Sequence, residues 1–156
     1  MKQLLKQLQT DYPSLKFVAH DTFSWSPSQQ IVYYVADLSE VRGAWSLLHE
    51  VGHALLGHTD FTNDFDLLQM EVAAWTKAVE LGKHYGVNID DDHVQDCLDT
   101  YRDWLHQRST CPTCGAVSLQ QDSRTYRCHN CSEAWQVAQN RHCRPYRMKS
   151  KQKQPV

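Results

Sequence analysis

Residues 49 to 53 read His-Glu-Val-Gly-His. On an α-helix, positions i and i+4 lie one above the other on the same face. One helical turn can therefore offer His49 and His53 to a single metal ion. Glu50, beside the first ligand, can reach a water on that ion and act as a general base. The pattern requires a helix here, and its chemistry is metal-assisted hydrolysis, most often of a peptide bond. The flanks agree: Leu48, Val51, Leu55 and Leu56 recur at helical spacing. Glu40 suits the positive end of the helix dipole, and Gly57 stands where a helix stops. The competing reading is a surface helix with coincidental histidines. Against it, polar groups on a buried helix are costly unless something uses them.

Two histidines do not complete a catalytic zinc site, which usually takes three protein ligands and keeps one position open. Glu71 is the candidate third ligand. It stands 18 residues after His53, in a helical stretch whose apolar stripe is Leu67, Leu68, Ala74, Trp75 and Ala78. A boundary glutamate reaching solvent is the alternative, since Glu is rarely buried unpaired. Asp60, Asp64 and Asp66 are rival ligands with the character of loop and helix-start residues. His84 is a rival at the far end of the Glu71 helix. His58, continued along an ideal helix, falls about 140° around from His53 and reads as a helix-end histidine rather than a ligand. A zinc peptidase also needs a donor for the developing oxyanion. Tyr33, Tyr34, His20 and His84 remain open for that role.

The stretch WSLLHEVGHALLGH, followed by EVAAW, resembles the ImmA/IrrE family of bacterial and phage zinc metallopeptidases. The resemblance covers about residues 15 to 85. It implies His49, His53 and Glu71 as zinc ligands, Glu50 as base, and a regulatory protein such as a DNA-binding transcriptional repressor as substrate. Family members often carry two adjacent acids near the third ligand; here Met70 and Val72 flank Glu71.

A second metal signal lies downstream. Cys111-Pro-Thr-Cys114 and Cys128-His-Asn-Cys131 are two C-x-x-C knuckles separated by 13 residues. Four thiolates at this spacing fit a tetrahedral structural zinc of the ribbon type. Val117 to Leu119 and Thr125 to Arg127 read as short strands around a polar turn. Gly115 suits the tight turn after a knuckle. Tyr126 and Trp135 are expected to pack on the metal module. The alternative is two disulfides in a secreted chain. Residues 1 to 6 carry no apolar run of signal-peptide length, and no stretch approaches the roughly 18 apolar residues of a membrane span. The expectation is a cytoplasmic, reducing setting, where such knuckles bind metal. Cys97 reads as a small core residue and Cys143 as a stray thiol.

The expected fold is α+β: a zincin-like metallopeptidase core of helices plus a small antiparallel sheet over 1–108, a zinc ribbon over 109–140, and a basic, disordered tail over 141–156. Within the core, Lys2 to Thr10 reads as a helix. Lys16 to Trp25 and Gln30 to Val35 read as a two-stranded hairpin, with Ile31 to Val35 a candidate edge for an extended peptide. The motif helix is expected from Ser39 to about Leu56, the Glu71 helix to end near Gly86, and a fourth helix to follow Asp90 or Asp91. Charge is split. Residues 1–105 hold 16 acids and 7 Lys/Arg, a net of −9; residues 106–156 hold 2 acids and 9 Lys/Arg, a net of +7. Nucleic-acid phosphate is thus a candidate partner of the ribbon and tail, against the plainer reading of a solvated terminus.

These observations lead to a zinc metalloendopeptidase with two zinc ions. A SprT-like protease acting on DNA-bound proteins is the alternative enzyme. It uses a third histidine, and none lies between His58 and His84 here. From another class comes a non-catalytic zinc-ribbon module that binds nucleic acid or protein.

Overall fold

A computed structural model of the protein describes residues 2–36 and 41–138 and the backbone of 148–149. Ser39, Glu40, Cys143 and most of the basic tail lie outside the described residues. The order of elements is α1 (Lys2–Asp11), β1 (Lys16–Ala19), β2 (Ser24–Ser26), β3 (Ile31–Tyr34), α2 (Val41–Leu55), α3 (Asp64–Tyr85), α4 (Asp91–Ser109), β4 (Leu119–Gln120), β5 (Thr125–Arg127), β6 (Ala134–Gln136) and β7 (Met148–Lys149). The class is α+β. No helix among the described residues is long and apolar enough to cross a membrane. The chain divides into two compact units, Met1–Asp60 with Gln69–Asp96, and Phe61–Leu68 with Cys97–Val156.

In the first unit α2 packs against β2 and β3. Its buried apolar residues include Leu4, Leu8, Val32, Leu47, Leu48, Val51, Trp75 and Ala78. The sheet differs from the expected hairpin. The segment 16–25 is two strands, not one: β1 stops at Ala19, and β2 begins at Ser24 on the other side of β3. The break is local. His20 N–H donates to Tyr34 O at 2.8 Å as the last bond of the parallel ladder, and Thr22 N–H then donates to His20 Nδ1 at 3.3 Å. The sheet is therefore mixed, with β3 parallel to β1 and antiparallel to β2. Because β3 has a neighbour on each side, Ile31–Tyr34 is not an open edge, which corrects the expected peptide-binding strand.

In the second unit β4, β5, β6 and β7 form an antiparallel sheet in that order. The expected strand at 117–119 is displaced: Val117 makes an isolated bridge to Thr110, and the paired strand is Leu119–Gln120. The third and fourth strands had no clear alternating signal. Tyr126 and Trp135 stack at 5.6 Å and are buried with Cys111, Cys128 and Val137, so both pack beside the cysteines as expected. Leu67, Tyr101 and Trp104 form a second buried cluster. Asn63 caps α3, its Oδ1 accepting from the N–H groups of Phe65 and Asp66 at 3.0 Å. Asp64, the first residue of that helix, is only 1% exposed. It accepts from Arg108 Nε at 2.5 Å, Arg108 Nη2 at 3.1 Å and the Tyr126 hydroxyl at 2.7 Å. Asp64 is thus a buried ion-pair partner, not a rival metal ligand. Burial, then the Asp64 carboxylate, pushes the Tyr126 hydroxyl pKa up. Arg108 also lies over the Trp104 ring at 4.3 Å and donates to Ala138 O at 2.5 Å.

Candidate metal centres

The first centre is built by α2 and α3. His49 and His53 share a face of α2 because they are four residues apart, and both are buried. Glu71, buried on α3, reaches them because the helices approach closely at Gly52. A Cβ at that position would stand 2.7 Å from Ala74 O. The glycine inside the motif is therefore a packing requirement, which the motif pattern does not reveal.

His49 Nε2 and His53 Nε2 are 3.1 Å apart. Glu71 Oε2 lies 3.2 Å from the first, and Glu71 Oε1 3.6 Å from the second. One ligand atom from each residue falls within 4.8 Å of the others, so the three side chains can hold a metal ion. Metal–ligand bonds of roughly 2.1 Å in a tetrahedron give ligand–ligand edges of about 3.4 Å, close to these separations. Hydrogen bonding alone leaves the group unsatisfied. Glu71 Oε2 is buried without a well-directed hydrogen-bond partner. A cation held between that oxygen and the two Nε2 atoms fits the donor set. Burial works to raise the Glu71 carboxyl, but His49 and His53 outweigh it and hold it well below the usual carboxylate range.

Glu50 is half-buried on the same turn of α2. Burial raises its carboxyl pKa, although the neighbouring imidazoles pull the other way. Trp75 packs its ring on His49 with centroids 4.3 Å apart and the planes tilted by 31°. His58, on the loop after α2, brings Nδ1 to 2.9 Å from His53 Nδ1. Burial, then the His53 charge, lowers the His58 pKa. The contacts of Trp75 and His58 were not legible in helical periodicity. His20 packs its ring on Tyr33 at 5.2 Å, Tyr33 donates its hydroxyl to Gln29, and His84 packs on Tyr85 at 4.7 Å.

The second centre joins Cys111, Cys114, Cys128 and Cys131, whose sulfurs all lie within 4.8 Å of one another. Cys111 Sγ to Cys131 Sγ is 3.6 Å and Cys114 Sγ to Cys128 Sγ is 3.5 Å. A tetrahedron with metal–sulfur bonds of about 2.3 Å has edges of about 3.8 Å. The two knuckles have the same local build. Gly115 N–H donates to Cys111 O at 3.0 Å and Ser132 N–H to Cys128 O at 3.1 Å. Thr113 N–H points at Cys111 Sγ and Asn130 N–H at Cys128 Sγ, each at 3.4 Å. Both knuckles end in the left-handed region, at Gly115 (φ 75°) and Ser132 (φ 60°). The N–H of Cys131, with that of Asn130, outweighs burial and pulls the Cys128 thiol down to about 6. At Cys131 the N–H of Glu133 lowers the pKa, but burial and three neighbouring sulfurs push it up to about 12. As thiolates the four sulfurs would repel one another, and a cation at their centre would fit this donor set.

Comparison of the whole chain with protein-family models, with curated proteins and with solved structures gives no match.

Proposed function

We propose that the protein is a zinc-dependent metalloendopeptidase with a zincin-like core and a zinc ribbon, working in the cytoplasm on a protein substrate. The observation that carries this reading is the convergence of His49, His53 and Glu71 within 4.8 Å, with Glu50 on the same turn as the two histidines. His49, His53 and Glu71 hold the catalytic zinc. Cys111, Cys114, Cys128 and Cys131 hold the structural one, their soft thiolates favouring zinc over harder cations. When bound, the catalytic ion supplies Lewis-acid polarisation of the scissile carbonyl and a water of lowered pKa. Glu50 takes the proton of the attacking water and returns it to the leaving amine. A carboxyl raised by burial suits a group that must both accept and release a proton. The resemblance to the ImmA/IrrE family makes a transcriptional repressor the first substrate to try.

The experiment is cleavage of candidate repressors by wild type and Glu50→Gln, with zinc counted per chain. Zinc retained and turnover lost in Glu50→Gln is the expected result; undiminished turnover rejects Glu50 as base. Glu71→Ala and Cys111→Ser are each expected to lose one of two zincs. A second reading, a protease acting on DNA-bound proteins, draws on the charge split, net +7 over residues 106–156. Stimulation of cleavage by DNA distinguishes it. Two zincs with no cleavage of either substrate class favours a binding module.

A further inference from the structure

The loop after the metal-binding helix is built to hold one of its ligands. Gly57 stands at φ 65°, the left-handed conformation that ends many helices. His58 N–H donates to His53 O and Gly57 N–H to Ala54 O, both at 3.1 Å. These are the paired 6→1 and 5→2 bonds of a Schellman cap. In that cap the residue after the glycine folds back over the helix position five residues earlier, where an apolar contact usually forms. Here both positions are histidines. The fold-back sets His58 Nδ1 2.9 Å from His53 Nδ1. The main chain of His58 is also pinned from the sheet, its carbonyl accepting from Trp25 Nε1 at 2.9 Å.

We propose that His58 is a positioning residue: its Nδ1 accepts the Nδ1 proton of His53 and so fixes that ring with its Nε2 lone pair toward Glu71 and His49. This rests on the reading of His49, His53 and Glu71 as a metal site. The tautomer follows from ligation. If Nε2 gives its lone pair to the metal, the ring proton must sit on Nδ1, and Nδ1–H needs an acceptor. His58 Nδ1 is that acceptor when its own proton is on Nε2. The two ligand histidines are then oriented by different means, His53 by this hydrogen bond and His49 by packing against the tilted Trp75 ring at 4.3 Å.

The test is zinc affinity at the His/Glu site, measured on the full chain by chelator competition, with the absorption of the Co2+-substituted protein as a second readout. The variants are His58→Ala, His58→Asn and His49→Ala. Asparagine keeps an acceptor oxygen near the position of Nδ1. His58→Ala is expected to weaken zinc by about 10- to 100-fold and to change the cobalt ligand-field bands. His58→Asn is expected to recover most of the affinity, while the cysteine-site zinc stays in place in both. Affinity within about twofold of wild type in His58→Ala, with affinity lost in His49→Ala, overturns the role of His58 alone. Equal losses in His58→Ala and His58→Asn also overturn it, because the effect then has nothing to do with an acceptor. Unchanged zinc in His49→Ala overturns the metal site and this inference with it.

Discussion

At the residue scale, the importance of a few positions lies in what surrounds them. Gly52 is the clearest. A Cβ there would meet Ala74 O at 2.7 Å, and backbone cannot swing aside as a flexible side chain can. Gly52→Ala is expected to cost roughly 1–3 kcal/mol, a typical penalty for overpacking, and to lower zinc occupancy at the His/Glu site. Thermal unfolding and metal analysis check this, and an unchanged midpoint with full zinc would refute the close packing. Asp64 is the second case. With its side chain removed, the Arg108 guanidinium is left buried with the Tyr126 hydroxyl and the Ala138 carbonyl but no counter-charge. Asp64→Ala is expected to destabilise by about 3–5 kcal/mol in urea melts. A smaller loss on replacing both Asp64 and Arg108 by apolar residues would locate the cost in the orphaned charge. The sequence marked Asp64 as a rival metal ligand with the character of a helix-start acid. Its partner lies 44 residues away, a distance that no local pattern spans.

Among the elements, the two cysteine knuckles are one hydrogen-bonded motif used twice, ended once by Gly115 and once by Ser132. A non-glycine residue in the left-handed region costs about 1 kcal/mol. Ser132→Gly is therefore expected to stabilise the zinc-loaded protein by up to about 1 kcal/mol, while Gly115→Ala is expected to destabilise it by about as much. Calorimetry with zinc present decides, and equal effects of the same sign would reject the correspondence. Strands this short bury little surface, so the sheet is expected to need its metal, worth on the order of 10 kcal/mol in small zinc modules. Stripping zinc with a chelator is expected to expose Trp135, which is fully buried here. A red shift of tryptophan emission that Cys128→Ser reproduces is the expected signature. The helices were far more legible than the strands. α1, α3 and α4 repeat apolar residues over several turns, whereas a strand of two to four residues gives too few positions for alternation to show. The hairpin was misread for that reason: nothing local distinguishes one strand over 16–25 from two strands on opposite sides of β3.

For the whole molecule, charge is the property that the sequence states outright, −9 over residues 1–105 and +7 over 106–156. If the basic part contacts phosphate, affinity for duplex DNA falls by roughly 100-fold between 50 and 200 mM salt for about four neutralised phosphates. Binding that ignores salt, or no binding at low salt, rejects the nucleic-acid reading. The sequence by itself determined which atoms are available for chemistry. The i, i+4 histidines, the adjacent glutamate and the two C-x-x-C pairs are local spacings, and backbone geometry converts local spacing into shared faces and knuckles without help from the rest of the chain. What only the tertiary structure decided is how distant segments meet. It brought Glu71 to the histidines across the Gly52 contact, closed four thiols into one cluster, buried Asp64 against Arg108 and Tyr126, and folded His58 back onto His53. The physical reason is that close packing, a left-handed turn and a buried charge each fix atoms far apart in sequence, and such meetings leave no period for a sequence to display.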